Sequence, residues 1–245
     1  MKNLTSALAI TIGLTGIAGL PSSARATFIQ YTGSGTSAGV PVAASADFTT
    51  SAGQVSLTLQ NTTVHTADAG QLLTGIRFTL APIPGSVATM TSATAIPRTI
   101  AANGSYVDGA SQSILNTWES GFSGGVYQLD FNPNAEFGIV GAADGETASV
   151  AGNYALANGS IKANPGHNPF TAKSATFTLS SAGITAGTTV TGVTFIYNTA
   201  LSTLINATQG TPPPAPVPEP STVGFGLAVL GACGAARRRK SGVLG

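Results

Sequence analysis

Few side chains in this sequence could do chemistry, and their types restrict what that chemistry would be. Gly35-Thr36-Ser37-Ala38-Gly39 and Gly121-Phe122-Ser123-Gly124-Gly125 both fit G-x-S-x-G, in which a sharp turn from strand to helix exposes a serine nucleophile. Neither precedes a helix-forming stretch, and two hits in a chain with 31 glycines follow from composition, so no catalytic serine is expected. His65 and His167, the two histidines, are too few for a His-based metal triad and lack an H-E-x-x-H partner. Either could act as a base only if folding set a hydroxyl and an acid beside it. Asp130, Asn132, Asn134 and Glu136 carry oxygens at alternate positions, ligands that suit the hard Ca2+ ion. They depart from an EF-hand loop, because Ala135 stands where glycine is needed, and Pro133 favours a solvated turn. Beyond that Ca2+ candidate no cofactor is expected. Asp144 and Glu146 form a second acidic turn with a hairpin-type Asp-Gly step. Trp118 and Tyr127 could stack on sugar rings, although core packing is the plainer role.

The elements that must position these residues read as strands. Apolar residues alternate in five segments: Val55, Leu57 and Leu59; Ile76, Phe78 and Leu80; Tyr127, Leu129 and Phe131; Ala175, Phe177 and Leu179; Val193, Phe195 and Tyr197. A period of two places each set on one face, with Thr, Ser and Gln on the other. Pro82-Ile83-Pro84-Gly85 and Asn164-Pro165-Gly166-His167-Asn168-Pro169 are loop-forming separators. The pattern predicts an all-β domain, an antiparallel two-sheet sandwich or jelly roll. One short helix is expected over Ala110 to Glu119, where Ile114 and Trp118 are four residues apart.

Composition excludes several classes. Only 8% of the 245 residues are charged, against about a quarter in an average globular protein. Six of the ten basic residues lie near the termini, leaving Arg77, Arg98, Lys162 and Lys173 against eight acidic residues, a net −4 over the central region. That balance argues against nucleic acid as a partner. The single cysteine, Cys233, lies in the C-terminal apolar run, so the central domain can form no disulfide.

Both ends read as targeting segments. Lys2 and the apolar stretch Leu4 to Leu20, followed by Ala24-Arg25-Ala26, match a secretory signal peptide over residues 1–26, with a helical apolar core and a cut after Ala26. Its implied partners are the Sec translocon and signal peptidase. A domain over 27–210 then gives way to a Pro-rich linker over 211–217, expected to be an extended polyproline spacer. Pro218-Glu219-Pro220 follows, then the apolar run Val223 to Ala236 and the cluster Arg237-Arg238-Arg239-Lys240. As a helix that run spans about 21 Å at 1.5 Å per residue, short of the ~30 Å hydrocarbon core. A transient membrane stage therefore suits it better than permanent anchoring. The basic cluster acts as a cytoplasmic stop.

The tripartite end over 218–241 resembles the PEP-CTERM sorting signal of bacteria, with Pro218, Glu219 and Pro220 as its motif residues. The resemblance implies recognition by an exosortase, removal of the tail near the motif, and delivery to the cell envelope, surface or extracellular matrix of a Gram-negative bacterium that makes exopolysaccharide or biofilm. The same tail is also labelled an ice-binding protein C-terminal domain. In this reading the three motif residues are substrate, not catalytic, and the chain is not an enzyme. A glycan- or ice-binding module, built on a flat Thr-rich strand face, is the alternative, and a secreted hydrolase comes third.

Overall fold

The computed structural model describes residues 26–132, 137–162 and 164–211. The expected signal helix and C-terminal apolar helix lie outside these residues. All strands fall in one compact unit that ends at Gly210.

The described chain is all-β, as its period-two alternation requires. Fourteen strands form in order: β1 (Thr27–Ser37), β2 (Val40–Ser51), β3 (Gln54–Asn61), β4 (Leu73–Ala81), β5 (Thr89–Ile100), β6 (Tyr106–Asp108), β7 (Gln112–Ser113), β8 (Trp118–Ser123), β9 (Val126–Phe131), β10 (Ile139–Val140), β11 (Phe170–Ser180), β12 (Thr189–Tyr197), β13 (Thr203–Asn206) and β14 (Thr208–Gln209). A 3-10 turn at Ala69–Gln71 is capped by Asp68, whose carboxylate accepts from Gly70 N at 2.6 Å.

One layer runs β13-β12-β4-β9-β8, and the other runs β5-β11-β3-β2-β1-β14, with β6 and β7 on the far side of β5. The two are not separate sheets. The two-residue β10 pairs with β4 at Ile139 and lies parallel to β11 at Ile139 and Val140, so hydrogen bonding continues from one layer into the other as one open, mixed network.

The core fills the space between the layers. All five alternating sets named from the sequence are buried, each large side chain contributing roughly 1.5–3 kcal/mol. Phe48 of β2 meets Phe78 of β4 edge-on at 5.1 Å, and Trp118 of β8 meets Phe177 of β11 at 4.8 Å, joining the two layers directly. The hydroxyl of Tyr31 on β1 donates across the sandwich to Val190 O of β12 at 2.5 Å.

The helix expected over Ala110 to Glu119 does not form. Ile114 and Trp118 are both buried as their spacing suggested, but through one tight turn in which Thr117 N and Trp118 N both reach Ile114 O. Ser113 Oγ accepts from Leu115 N, and Thr117 Oγ1 donates to Ile114 O at 2.8 Å. These local hydroxyl bonds compete with helix propagation, and strand pairing by β7 and β8 takes the residues on either side.

Candidate functional site

Two surfaces and one buried cluster hold the polar chemistry of the domain. The first surface is a groove on the outer face of β4, β9 and β8. Because β9 turns Tyr127, Leu129 and Phe131 inward, Gln128 and Asp130 point outward. The register sets Gln128 beside Arg77 and Gly121, and Asp130 beside Gly75 and Glu119. Arg77 Nε donates to Gln128 Oε1 at 2.6 Å, and Gln128 Nε2 donates in turn to Asp130 Oδ2 in a very short contact. Burial pushes the Asp130 carboxyl above its ordinary range. The Gln128 hydrogen bond opposes that shift, nearby Glu119 adds to it, and Arg77 counters it. A groove of about 580 Å3 opens above these side chains, edged by Val126 and the backbone of Gly121. A Cβ added at Gly121 would meet nothing within 4 Å, so a glycine there leaves open space.

The second surface is the outer face of the other layer. Register aligns Ser113, Thr94, Thr176, Thr58, Asp47 and Gln30 in one row across β7, β5, β11, β3, β2 and β1. The next row holds Ser92, Thr178, Ser56, Thr49 and Phe28. Thr58 and Thr176 hydroxyls stand 3.4 Å apart, and Asp47, the one charge in the two rows, accepts from Gln30 Nε2 at 2.8 Å. The result is a nearly uncharged lattice of hydroxyls, repeating about every 4.8 Å between strands.

The buried cluster centres on Arg98, which is 1% exposed. Its Nε and Nη2 donate to the two oxygens of Asp108, both at 2.7 Å. Nη1 and Nη2 donate to Glu146 at 2.9 and 3.0 Å, and Nη1 also reaches Tyr154 Oη at 2.9 Å. All five guanidinium protons thus have acceptors, and the Tyr106 ring lies 3.9 Å from the guanidinium carbon. β11 bulges between Thr171 and Ala175 with Lys173 at φ 59°, and Lys173 Nζ donates to Glu146 at 2.8 Å. Burial raises the Glu146 carboxyl, but hydrogen bonds from Arg98, Lys173 and the Ala143 N–H outweigh it and hold the group at about 2.

Both G-x-S-x-G segments are hairpins. Ser37 ends β1 before Ala38 (φ 51°) and Gly39 (φ 79°), and Ser123 ends β8 before Gly124 (φ 59°) and Gly125 (φ 86°). These paired left-handed residues make the tight turn between antiparallel strands. No helix follows either serine, and Ser37 is buried with its hydroxyl on Thr203 Oγ1. His65 Nδ1 lies 2.6 Å from Asp144 Oδ1 at an exposed position. His167 Nδ1 lies 2.9 Å from the backbone carbonyl of Ser160.

Of the candidate Ca2+ ligands, Asp130 belongs to the groove, and Asn132 Nδ2 donates to Glu119 Oε1 at 3.1 Å. Asn134 and Glu136 lie outside the described residues. Among the described residues no three His, Cys, Asp or Glu side chains gather closely enough to hold a metal. Trp118 and Tyr127 are core, at 2% and 1% exposure. Ala26 is exposed immediately before β1; Ala24, Pro218, Glu219, Pro220, Arg237, Arg238, Arg239 and Lys240 lie outside the described residues. No described helix is long and apolar enough to cross a membrane.

Sequence reasoning passed over the groove and the Arg98 cluster. The alternation of Gln128 and Asp130 with buried residues was the signal for the groove, but the register that sets them beside Arg77 is not written in either segment alone.

Residues 216–240 match the family described as the PEP-CTERM protein-sorting motif. Comparison with curated proteins and with solved structures gives no match.

Proposed function

Starting from a PEP-CTERM domain-containing chain, an exosortase-targeted protein exported to the cell surface through a C-terminal membrane-anchored stage, we propose that the chain is a non-enzymatic component of the extracellular matrix of a Gram-negative bacterium. It is exported by the Sec translocon and cut by signal peptidase after Ala26. Exosortase then cleaves near Pro218-Glu219-Pro220 and leaves the β-domain associated with exopolysaccharide. The observation that carries this reading is the position of the sorting motif: it begins at residue 216, beyond the last strand, Thr208–Gln209. Cleavage there would detach the tail and leave every strand pairing in place. The non-enzymatic role is supported by His65 and His167 facing a carboxylate and a carbonyl, with no serine hydroxyl bonded to either ring among the described residues.

Intact-mass analysis of the protein recovered from its host tests the proposal. The expected species starts at Thr27 and ends within Val217 to Ser221. A species that retains Arg237 to Lys240 refutes processing.

The hydroxyl lattice favours a second reading, a module that lies flat on an extended hydroxylated solid such as crystalline polysaccharide or ice. Thr176→Lys would place a charge in the middle of the face. On this reading it abolishes adsorption to microcrystalline cellulose, or thermal hysteresis where ice is the ligand.

A further inference from the structure

The Arg77 groove is built from groups that complete only part of one another's hydrogen bonding. Gln128 is used on both sides, accepting from Arg77 Nε and donating to Asp130 Oδ2. That leaves the guanidinium fork and carboxylate oxygens facing the groove. Among the described residues, nothing pairs with the terminal nitrogens of Arg77. The groove therefore offers strong donors from Arg77 and strong acceptors from Asp130 and Glu119. Its open floor at Gly121 lets a ligand approach the sheet.

The charge pattern selects among ligands. One guanidinium against two carboxylates gives the groove a local net of −1, within a domain whose charge is −4. An anionic ligand meets two carboxylates, and a cationic one meets the Arg77 fork. A neutral polyol avoids both conflicts, since each hydroxyl can accept from the guanidinium while donating to a carboxylate. The volume of about 580 Å3 lies within the ordinary range for small-molecule sites, and Val126 supplies an apolar edge for the C–H face of a ring.

We propose that this groove binds a neutral saccharide, with Arg77 donating to ring or hydroxyl oxygens and Asp130 and Glu119 accepting from sugar hydroxyls. The inference rests on the matrix reading above and names the contact through which the domain would hold a glycan. It is separate from the hydroxyl lattice, which belongs to the other layer.

The test is a glycan array of neutral hexose oligomers and oligouronates, probed with the full chain in a detergent that lacks a sugar headgroup. The expected result is signal on at least one neutral series, reduced at least tenfold in Arg77→Met and in Gly121→Leu, and unchanged in Thr176→Lys. Gly121→Leu fills the groove from an exposed position without entering the core, so its thermal melt should match that of the unaltered chain. No neutral signal, signal confined to oligouronates, or full signal in a folded Gly121→Leu variant would overturn the assignment. A chain that is processed and retained in the matrix yet silent on the array refutes the groove alone. A chain that binds on the array but keeps its tail in the host refutes the targeting alone.

Discussion

Replacing Glu146 by Gln tests whether the buried charge cluster holds the domain together. The substitution keeps the shape of the side chain and removes its charge. Glu146 is 5% exposed and is held at about 2, against an ordinary 4.5. That difference corresponds to about 3 kcal/mol of stability at neutral pH, comparable with the roughly 3–5 kcal/mol lost when one partner of a buried pair is removed. Because the folded-state value is depressed, the contribution is complete above about 4.5 and is lost as pH falls toward 2. Urea and thermal melts of both proteins from pH 7 to pH 2 read the effect. At pH 7 the variant should be less stable by about 3 kcal/mol, a fall in Tm of about 6–12 °C for a domain of this size. The gap should narrow below pH 4.5 and change little with added salt, because buried pairs are poorly screened. A gap under about 1 kcal/mol at pH 7, or one that stays constant from pH 5 to pH 2, would refute the reasoning.

Three further outcomes follow from the same structure. Asp130 has its folded pKa raised, so stability declines as pH rises through that value; Asp130→Asn should remove this slope and leave the domain at least as stable at pH 7, read by melts across pH 4 to 8. Trp118→Ala opens a void between the layers beside Phe177 and should cost about 3–5 kcal/mol in urea unfolding. Gly125→Ala forces a Cβ onto φ 86° in the β8–β9 hairpin and should cost about 1 kcal/mol, whereas Gly121→Ala, four residues earlier with open space around it, should be close to neutral in the same assay.

The strands were legible in the sequence because period-two burial depends on local order alone. Val55, Leu57 and Leu59 face inward whatever strand lies beside them. Ile114 and Trp118 show where that reasoning stops: a spacing of four is compatible with one helical turn or with a tight turn between strands. Here the hydroxyls of Ser113 and Thr117, together with the partner strands of β7 and β8, decide between them. The layers were expected, but β10 was not, since two residues carry no periodicity. The Arg77 groove and the Arg98 cluster depend on registers and loop paths separated by up to 51 and 56 residues, which no segment pattern encodes.

The Arg98 cluster also bears on how an exported domain without internal cysteines keeps its longest connection ordered. The path from β10 to β11 contributes only an isolated bridge at Asp144 and Asn153, and it packs on a minor core of Tyr154, Ala157, Ile161 and Phe170. Outside the cytoplasm a disulfide could staple such a segment, but Cys233 is the chain's single cysteine and lies in the tail. Arg98 on β5 takes up the comparable constraint: through Glu146 and Tyr154 it grips the connection at two points, and through Asp108 it ties both to β6. A disulfide acts mainly by restricting the unfolded chain, whereas this cluster acts only in the folded state and only while its carboxylates are ionised. The domain should therefore withstand reducing agents fully and fail toward acid, with the β10–β11 connection the first segment to lose hydrogen-exchange protection as pH falls below 4.5.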